Sequence, residues 1–318
     1  MHETQSMISR LLSSFAVVSS ISAFVLDNPL QLLQASAGVN NTTIITTTNN
    51  KNILPLFSLL PSPNPSSNIP ITSLVSYVCN GDAFGHDLNV DSCTDAIRFL
   101  GVNTTQLSFG VRNTGAFDIR LPQRYISTDG KCAIEPTLAP DKELAMASAE
   151  DVAVAAFVVV RNCAAKQGGK GGIAKDIGGD DNLRIVVSKY DPAHVRCYGK
   201  MRRPQVQVSC QVILDSMRTS NENVYFGPRG DPLTNVGLPF SLFSDDHKCK
   251  MTIRTTGEGA GFTDTWSWAK FWEVGVALAG MCVRESKEGV QTQLGDSGYL
   301  YMEVGGPQSE LEGNETGS

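Results

Sequence analysis

Apolar and polar positions alternate and recur in a consistent order along the middle of the chain. Leu74, Ser76 and Val78 alternate, which predicts a short strand ending at Cys79. Asp91-Ser92 then offers a helix N-cap, and Cys93, Ala96, Ile97 and Leu100 follow three and four apart, so one apolar stripe faces a sheet. Leu107 and Phe109 alternate as in a strand. Arg120 to Ser127 and Lys131 to Glu135 read as the arms of a hairpin turning at Asp129-Gly130. From Ser148 to Ala165 the period is helical, with Val152, Ala155, Ala156, Val159 and Cys163 on the buried face. Glu150-Asp151 lie in its first turn, where the helix dipole favours acids. A glycine-rich stretch from Gly168 to Gly179 reads as a loop, and Leu183 to Tyr190 as a last strand.

The same order then repeats. A shift of 117 positions lays Ser92-Cys93 on Ser209-Cys210, Phe109-Gly110 on Phe226-Gly227 and Leu121-Pro122 on Leu238-Pro239, while Ser127, Asp129, Lys131 and Cys132 fall on Ser244, Asp246, Lys248 and Cys249. Small indels bring Cys79 onto Cys197 and Cys163 onto Cys282. In the second copy, helices are predicted at Ser209 to Met217 and from about Thr265 to Cys282. Strands are predicted around Val224 and Phe226 and from Tyr299 to Val304, with the hairpin at Asp246-His247. Strand, helix, antiparallel strands, helix, strand is a split β-α-β order. The expected fold class is therefore α+β: two tandem two-layer α/β sandwich repeats of ferredoxin-like type, each roughly 110 residues with its helices on one face.

What flanks the repeats differs in kind. Arg10 precedes a short apolar run at Leu11 to Val18, and Ala35-Ser36-Ala37 has the form of a cleavage site, so residues 1–37 read as a secretory leader. Residues 38–70 are rich in Asn, Thr, Ser and Pro and read as a disordered lead-in, residues 71–192 and 193–305 as the two repeats, and residues 306–318 as an acidic tail. Sequons begin at Asn40, Asn41, Asn103 and Asn314, which behind a leader are expected to carry glycans. Behind that leader, Cys79, Cys93, Cys132 and Cys163, and Cys197, Cys210, Cys249 and Cys282, are expected to form disulfides within each repeat, with three pairings open in each. A net charge of −6 and a single short basic cluster at Lys200, Arg202 and Arg203 argue against a nucleic-acid partner. No stretch approaches the roughly 20 apolar residues of a membrane span. The expected protein is an extracellular monomer.

Candidate chemistry is sparse. Gly257, Gly259 and Gly261 do not complete a dinucleotide fingerprint, and the glycines around Lys170 lack the Ser or Thr of a phosphate loop, so no cofactor is expected. His2, His86, His194 and His247 do not group with cysteines, so no metal is expected. Asp245-Asp246-His247 could serve acid-base work, but the first repeat has Thr128-Asp129-Gly130 in the same place, so the shared aspartate reads as turn chemistry. Trp266, Trp268 and Trp272 begin the second repeat's long helix with no counterpart in the first. They read as core, and alternatively as an exposed aromatic platform for a sugar or partner protein. Arg112 and Arg229, a matched pair, read as donors to a carboxylate or to backbone carbonyls.

Several short features carry a resemblance: Ser92-Cys93 and Ser209-Cys210 opening helices, the Lys-Cys-x-hydrophobic strands at Gly130 to Ile134 and His247 to Met251, and the acid-started helix at Glu150-Asp151-Val152. Together they are similar to the fungal necrosis-inducing extracellular effectors and, more loosely, to killer-toxin-like α/β sandwiches, over about residues 71 to 305. The resemblance implies no catalytic residue. The expected function is a secreted, glycosylated, non-enzymatic binding or effector-like protein acting at a cell surface, on a host or on a competitor, with a protein or a cell-wall glycan as partner. Its rivals are a hydrolase with a site between the repeats near Asp245, Asp246 and Glu273, and a structural wall protein.

Overall fold

The computed structural model describes residues 75–101, 103–201, 206–257 and 261–306. The leader, the lead-in with Asn40 and Asn41, Arg202-Arg203, Gly259, and the acidic tail beyond Gly306 with Asn314 lie outside them. The described chain is mixed α+β, with several sheets, modest helix content and four disulfides.

The N-terminal half runs β1 (Ser76–Cys79), α1 (Gly81–Phe84), α2 (Val90–Arg98), β2 (Leu107–Val111), β3 (Ile119–Leu121), β4 (Tyr125–Ile126), β5 (Cys132–Leu138), β6 (Leu144–Ala147), α3 (Ala149–Val159), β7 (Gly172–Ile177) and β8 (Leu183–Lys189). The C-terminal half runs β9 (Val195–Tyr198), α4 (Val206–Ser216), β10 (Asn223–Pro228), β11 (Val236–Leu238), β12 (Phe240–Phe243), β13 (Lys250–Thr255), β14 (Asp264–Ser267), α5 (Trp268–Met281), β15 (Glu288–Leu294) and β16 (Leu300–Gly305). One wholly antiparallel five-stranded sheet has the order β1-β7-β8-β5-β4, and another the order β9-β15-β16-β13-β12. Each half adds a three-stranded sheet, β3-β2-β6 or β11-β10-β14, holding one parallel and one antiparallel pair.

Local chemistry accounts for the helix starts. Asn89 accepts from the N–H groups of Asp91 (2.8 Å) and Ser92 (3.0 Å), so α2 is capped two residues before the predicted position. Ser148 and Asp151 form a capping box at α3, and Ser267 accepts from Lys270 N–H at α5. The helix after α3 widens to a π turn at Val160–Ala165, which carries Cys163.

Three expectations need correction. The glycine-rich loop contains the strand β7, and its second-half counterpart β15 was not predicted either. Each is an inner strand with one face toward solvent, so it lacks a continuous apolar run. The hairpin arm expected from Arg120 is broken: β3 joins the small sheet, the Leu121-Pro122 peptide is cis, and only β4 pairs with β5. The helix expected from Thr265 begins at Trp268, because Asp264–Ser267 pairs as β14 with β10.

Two cores result. One gathers α2, α3 and the inner faces of β5, β7 and β8; the other gathers α4, α5, β13 and β16. Ile126 of β4 and Ala133 of β5 cross the boundary and belong to the second core. A Cβ at Gly280 of α5 would lie 3.1 Å from the Ile126 Cβ, so a larger residue there would need the helix or Ile126 to give by a few tenths of an ångström. Three arginines tie this seam. Arg112 Nη1 donates to the carbonyls of Leu214 and Met217 at the end of α4, and Nη2 to Pro122 O (3.1 Å). Arg124 donates to Glu135 (2.9 Å), pairs with Glu273 (3.5 Å) and lies over the Trp272 ring. Arg284 donates to the Asp95 carboxylate and to Ile126 O (3.3 Å).

Candidate functional site

The eight cysteines pair as Cys79–Cys163, Cys93–Cys132, Cys197–Cys282 and Cys210–Cys249, each bridge within one half. Two tie edge strands β1 and β9 to the ends of the long helices, and two tie α2 and α4 to the start of the central strands β5 and β13.

The three tryptophans do not form an exposed platform. Trp268 and Trp272 are 8% and 2% exposed, and Trp266 is half-buried edge-on to Phe271. Trp268 and Trp272 are core because α5 is apolar on nearly every side and is covered by both its own sheet and β4, while Trp266 on β14 packs against that core from its edge. Asp245, Asp246 and Glu273 do not converge either. Asp246 accepts from Ser209 Oγ (2.8 Å), Ser244 Oγ (2.7 Å) and Lys248 N–H (3.1 Å), while Glu273 pairs with Arg124. Asp129 has the matching partners Ser92 Oγ (2.6 Å), Ser127 Oγ (2.7 Å) and Lys131 N–H (3.1 Å). These carboxylates fasten a turn to a helix. Asn103 is exposed and accepts from Thr105 N–H (2.8 Å). Among the described residues no three His, Cys, Asp or Glu side chains are grouped to hold a metal.

Both turn aspartates titrate below the usual carboxylate range. Burial works to raise them, but the serine hydroxyls and the lysine N–H outweigh it. Folded values below the unfolded value of about 3.9 add stability that is present above about pH 4 and lost as pH falls through the folded values. The Asp129→Asn, Asp246→Asn double variant is therefore expected to be less stable than wild type at pH 7, with the gap narrower at pH 2, where protonation has begun to remove the carboxylates' advantage. Urea midpoints at the two pH values measure it.

A groove of about 550 Å³ runs between the halves. One wall is the end of α2 with Phe117, Ile119 and Tyr125 beside β3 and β4; the other is the outward face of α4, from Gln207 to Ser216. Val208 and Val212 stand one turn apart on that helix, 67% and 42% exposed. At the corresponding places α2 has Asp91 and Asp95, the latter engaged by Thr128 and Arg284. The inward stripe of α4, namely Val206, Cys210, Ile213 and Leu214, is buried, so the two valines are extra to what the fold consumes.

The polar groups lining the groove are Asp118, Arg120, Gln123, Tyr125, Gln207, Gln211, Asp215 and Ser216. Ser108 donates its N–H (2.8 Å) and Oγ (2.7 Å) to Asp118, which keeps that carboxyl below its usual range. Burial, with Asp215 nearby, pushes Tyr125 up to about 12, so its phenol stays protonated. Gln211 donates to Asp215 (2.8 Å). No histidine lines the groove. Sequence reasoning missed this site because its walls lie about a hundred residues apart. The one local signal was the pair of valines at Val208 and Val212 set against Asp91 and Asp95 at a shift of 117 positions.

Compared with protein-family models, curated proteins and solved structures, the chain shows no significant match.

Proposed function

We propose that the protein is a secreted, glycosylated, non-catalytic binding protein of effector-like type, built as a tandem duplication, whose inter-half groove receives an apolar segment of a partner protein. The observation that carries the reading is the exposed Val208 and Val212 pair facing a groove of ligand size at the junction of two halves. Duplication is supported by the matching strand orders, by bridge separations of 39 and 39 and of 84 and 85 residues, and by strand irregularities with positive φ at both Asp176 and Gln293. Secretion is supported by the four bridges and by the lack, among the described residues, of any helix long and apolar enough to cross a membrane. The likeness to fungal effectors and killer-toxin-like sandwiches belongs to this proposal and rests on the cysteine-centred motifs.

The test is a photo-reactive side chain placed at Val212 of the full chain and incubated with intact cells and with wall and protein fractions. A discrete protein adduct is expected, and Val208→Asp should reduce it at least about tenfold, since burying a carboxylate against apolar surface is strongly disfavoured. An adduct insensitive to Val208→Asp, or none with any protein fraction, would overturn the reading.

A further inference from the structure

The second five-stranded sheet keeps an outer face whose chemistry the fold does not require. Alternation along the last strand sends Leu300, Met302 and Val304 into the core and Tyr301 and Glu303 outward, with Tyr299 preceding them on the same side. Steps of two residues space these three about 7 Å apart along a row of about 14 Å. Phe262 extends the row: its ring stacks on Tyr299 at 5.9 Å, and the two are 59% and 36% exposed. Neighbouring strands bring planar polar groups alongside. Arg254 lies opposite Tyr301 in register, Thr252 opposite Glu303, and Tyr198 opposite Glu288. Arg254 Nε donates to Glu303 at 2.8 Å, which fixes both side chains in place. A groove of about 420 Å³ is lined by Tyr198, Arg254, Glu288, Tyr301 and Glu303, with Lys250 at one end.

The first half serves as an internal control. Its corresponding positions hold Asn182, Arg184 and Val186 in place of Tyr299, Tyr301 and Glu303, in the same register against Thr137 and Glu135. That face is used at Ile126 and Ala133 to seat α5. Exposed large aromatic side chains follow the same division: Tyr198, Tyr225, Phe243, Phe262 and Tyr299 belong to the second half, and only Tyr77 among the described residues to the first. The exposed aromatic surface of the second half therefore lies on and beside its sheet and includes tyrosines, not the tryptophans of α5 and β14.

We infer that this face binds an uncharged hexose polymer of the β-glucan class. Tyrosine faces offer flat apolar area to the C–H faces of pyranose rings while their hydroxyls remain hydrated. Glu303 and Glu288 accept, and Arg254 and Lys250 donate, which matches vicinal hydroxyls that do both. Two cationic and two anionic side chains balance, so the groove complements a neutral strand and disfavours an acidic polysaccharide, as does the net charge of −6. Burial pushes the phenols of Tyr198 and Tyr301 up from their usual value, with Glu303 adding to it, so both remain neutral donors across the physiological range.

Affinity electrophoresis of the full chain through gels containing soluble β-glucan tests the inference. Retardation of the wild type is expected. Tyr198→Ala with Tyr301→Ala should weaken it at least about tenfold, Tyr301→Phe should retain most of it, and Arg184→Ala on the first sheet should change nothing. Unaltered thermal melting of the variants separates loss of binding from loss of fold. Equal retardation of the double alanine variant, no retardation of the wild type, or retention by chitin or pectate in place of β-glucan would each overturn the assignment. The groove reading stands or falls separately, because Val208→Asp should leave the retardation intact and Tyr301→Ala should leave the Val212 adduct intact.

Discussion

Replacing Arg112 with alanine is expected to lower stability by about 3 kcal/mol, while the same change at Arg229, its counterpart, should cost less than about 1 kcal/mol. Both guanidinium groups donate to the carbonyl of the proline that follows the small-sheet strand, Pro122 (3.1 Å) or Pro239 (3.0 Å). Only Arg112 is buried, at 6% exposure, and only it reaches into the other half, where it donates to two carbonyls at the end of α4 and lies over Trp272. Burial lowers its pKa and Asp215 partly restores it, so the charge is held at a cost that the carbonyls and the helix terminus offset. Alanine would leave those carbonyls without a donor and open a void beside Trp272. Lysine keeps the charge but loses the fork and should fall between the two. Urea titrations with a common m-value measure the difference, and equal losses at Arg112 and Arg229 would show that the seam does not depend on this residue.

Much of this arrangement was legible because the same residues occur twice. The matched Ser-x-Asp-x-Lys turns, the cysteine spacings and the helix beginning at Ser148 are local patterns, and each is present in the structure where the sequence placed it. The strands β7 and β15 were not legible, since Gly172–Ile177 and Glu288–Leu294 alternate weakly and carry irregularities with positive φ at Asp176 and Gln293. Trp266 was assigned to the helix because an apolar run conceals the change from strand to helix, although Ser267 marks it as an N-cap. The groove and the seam could not be read at all. They arise where α4 meets β3 and β4, and where α5 meets Ile126, and no periodicity within one segment encodes a contact across 100 to 160 residues.

The divergence between the halves follows from one geometric choice. Seating α5 on β4 and β5 consumes part of the first sheet's outer face, so Ile126 and Ala133 are buried there. The corresponding Phe243 and Lys250 of the second sheet stay at the surface, with the ammonium 5.4 Å from the ring centre. The outer face of one sheet is thus partly covered by α5, while the matching positions of the other sheet are not.

Removing the Cys197–Cys282 bridge by paired alanine substitution should therefore do more than destabilise. Its closed loop of 85 residues corresponds to about 4 to 5 kcal/mol in the chain-entropy view, against about 4 kcal/mol for the 39-residue loop of Cys210–Cys249. The larger consequence is local. β9 is an edge strand that pairs only with β15, and the bridge is its covalent tie to the end of α5. Without it β9 should open well below the global unfolding free energy, seen as fast amide exchange at Val195 to Tyr198 while β13 and β16 stay protected. Tyr198 would then lose its fixed place beside Glu288, and β-glucan retardation should weaken even where the protein remains folded. Removal of Cys210–Cys249 should lower overall stability and leave both the exchange at β9 and the retardation unchanged at temperatures below the melt. If the two bridge variants behave alike, β9 is held by its ladder alone, and the order of the sheet face does not depend on the disulfide.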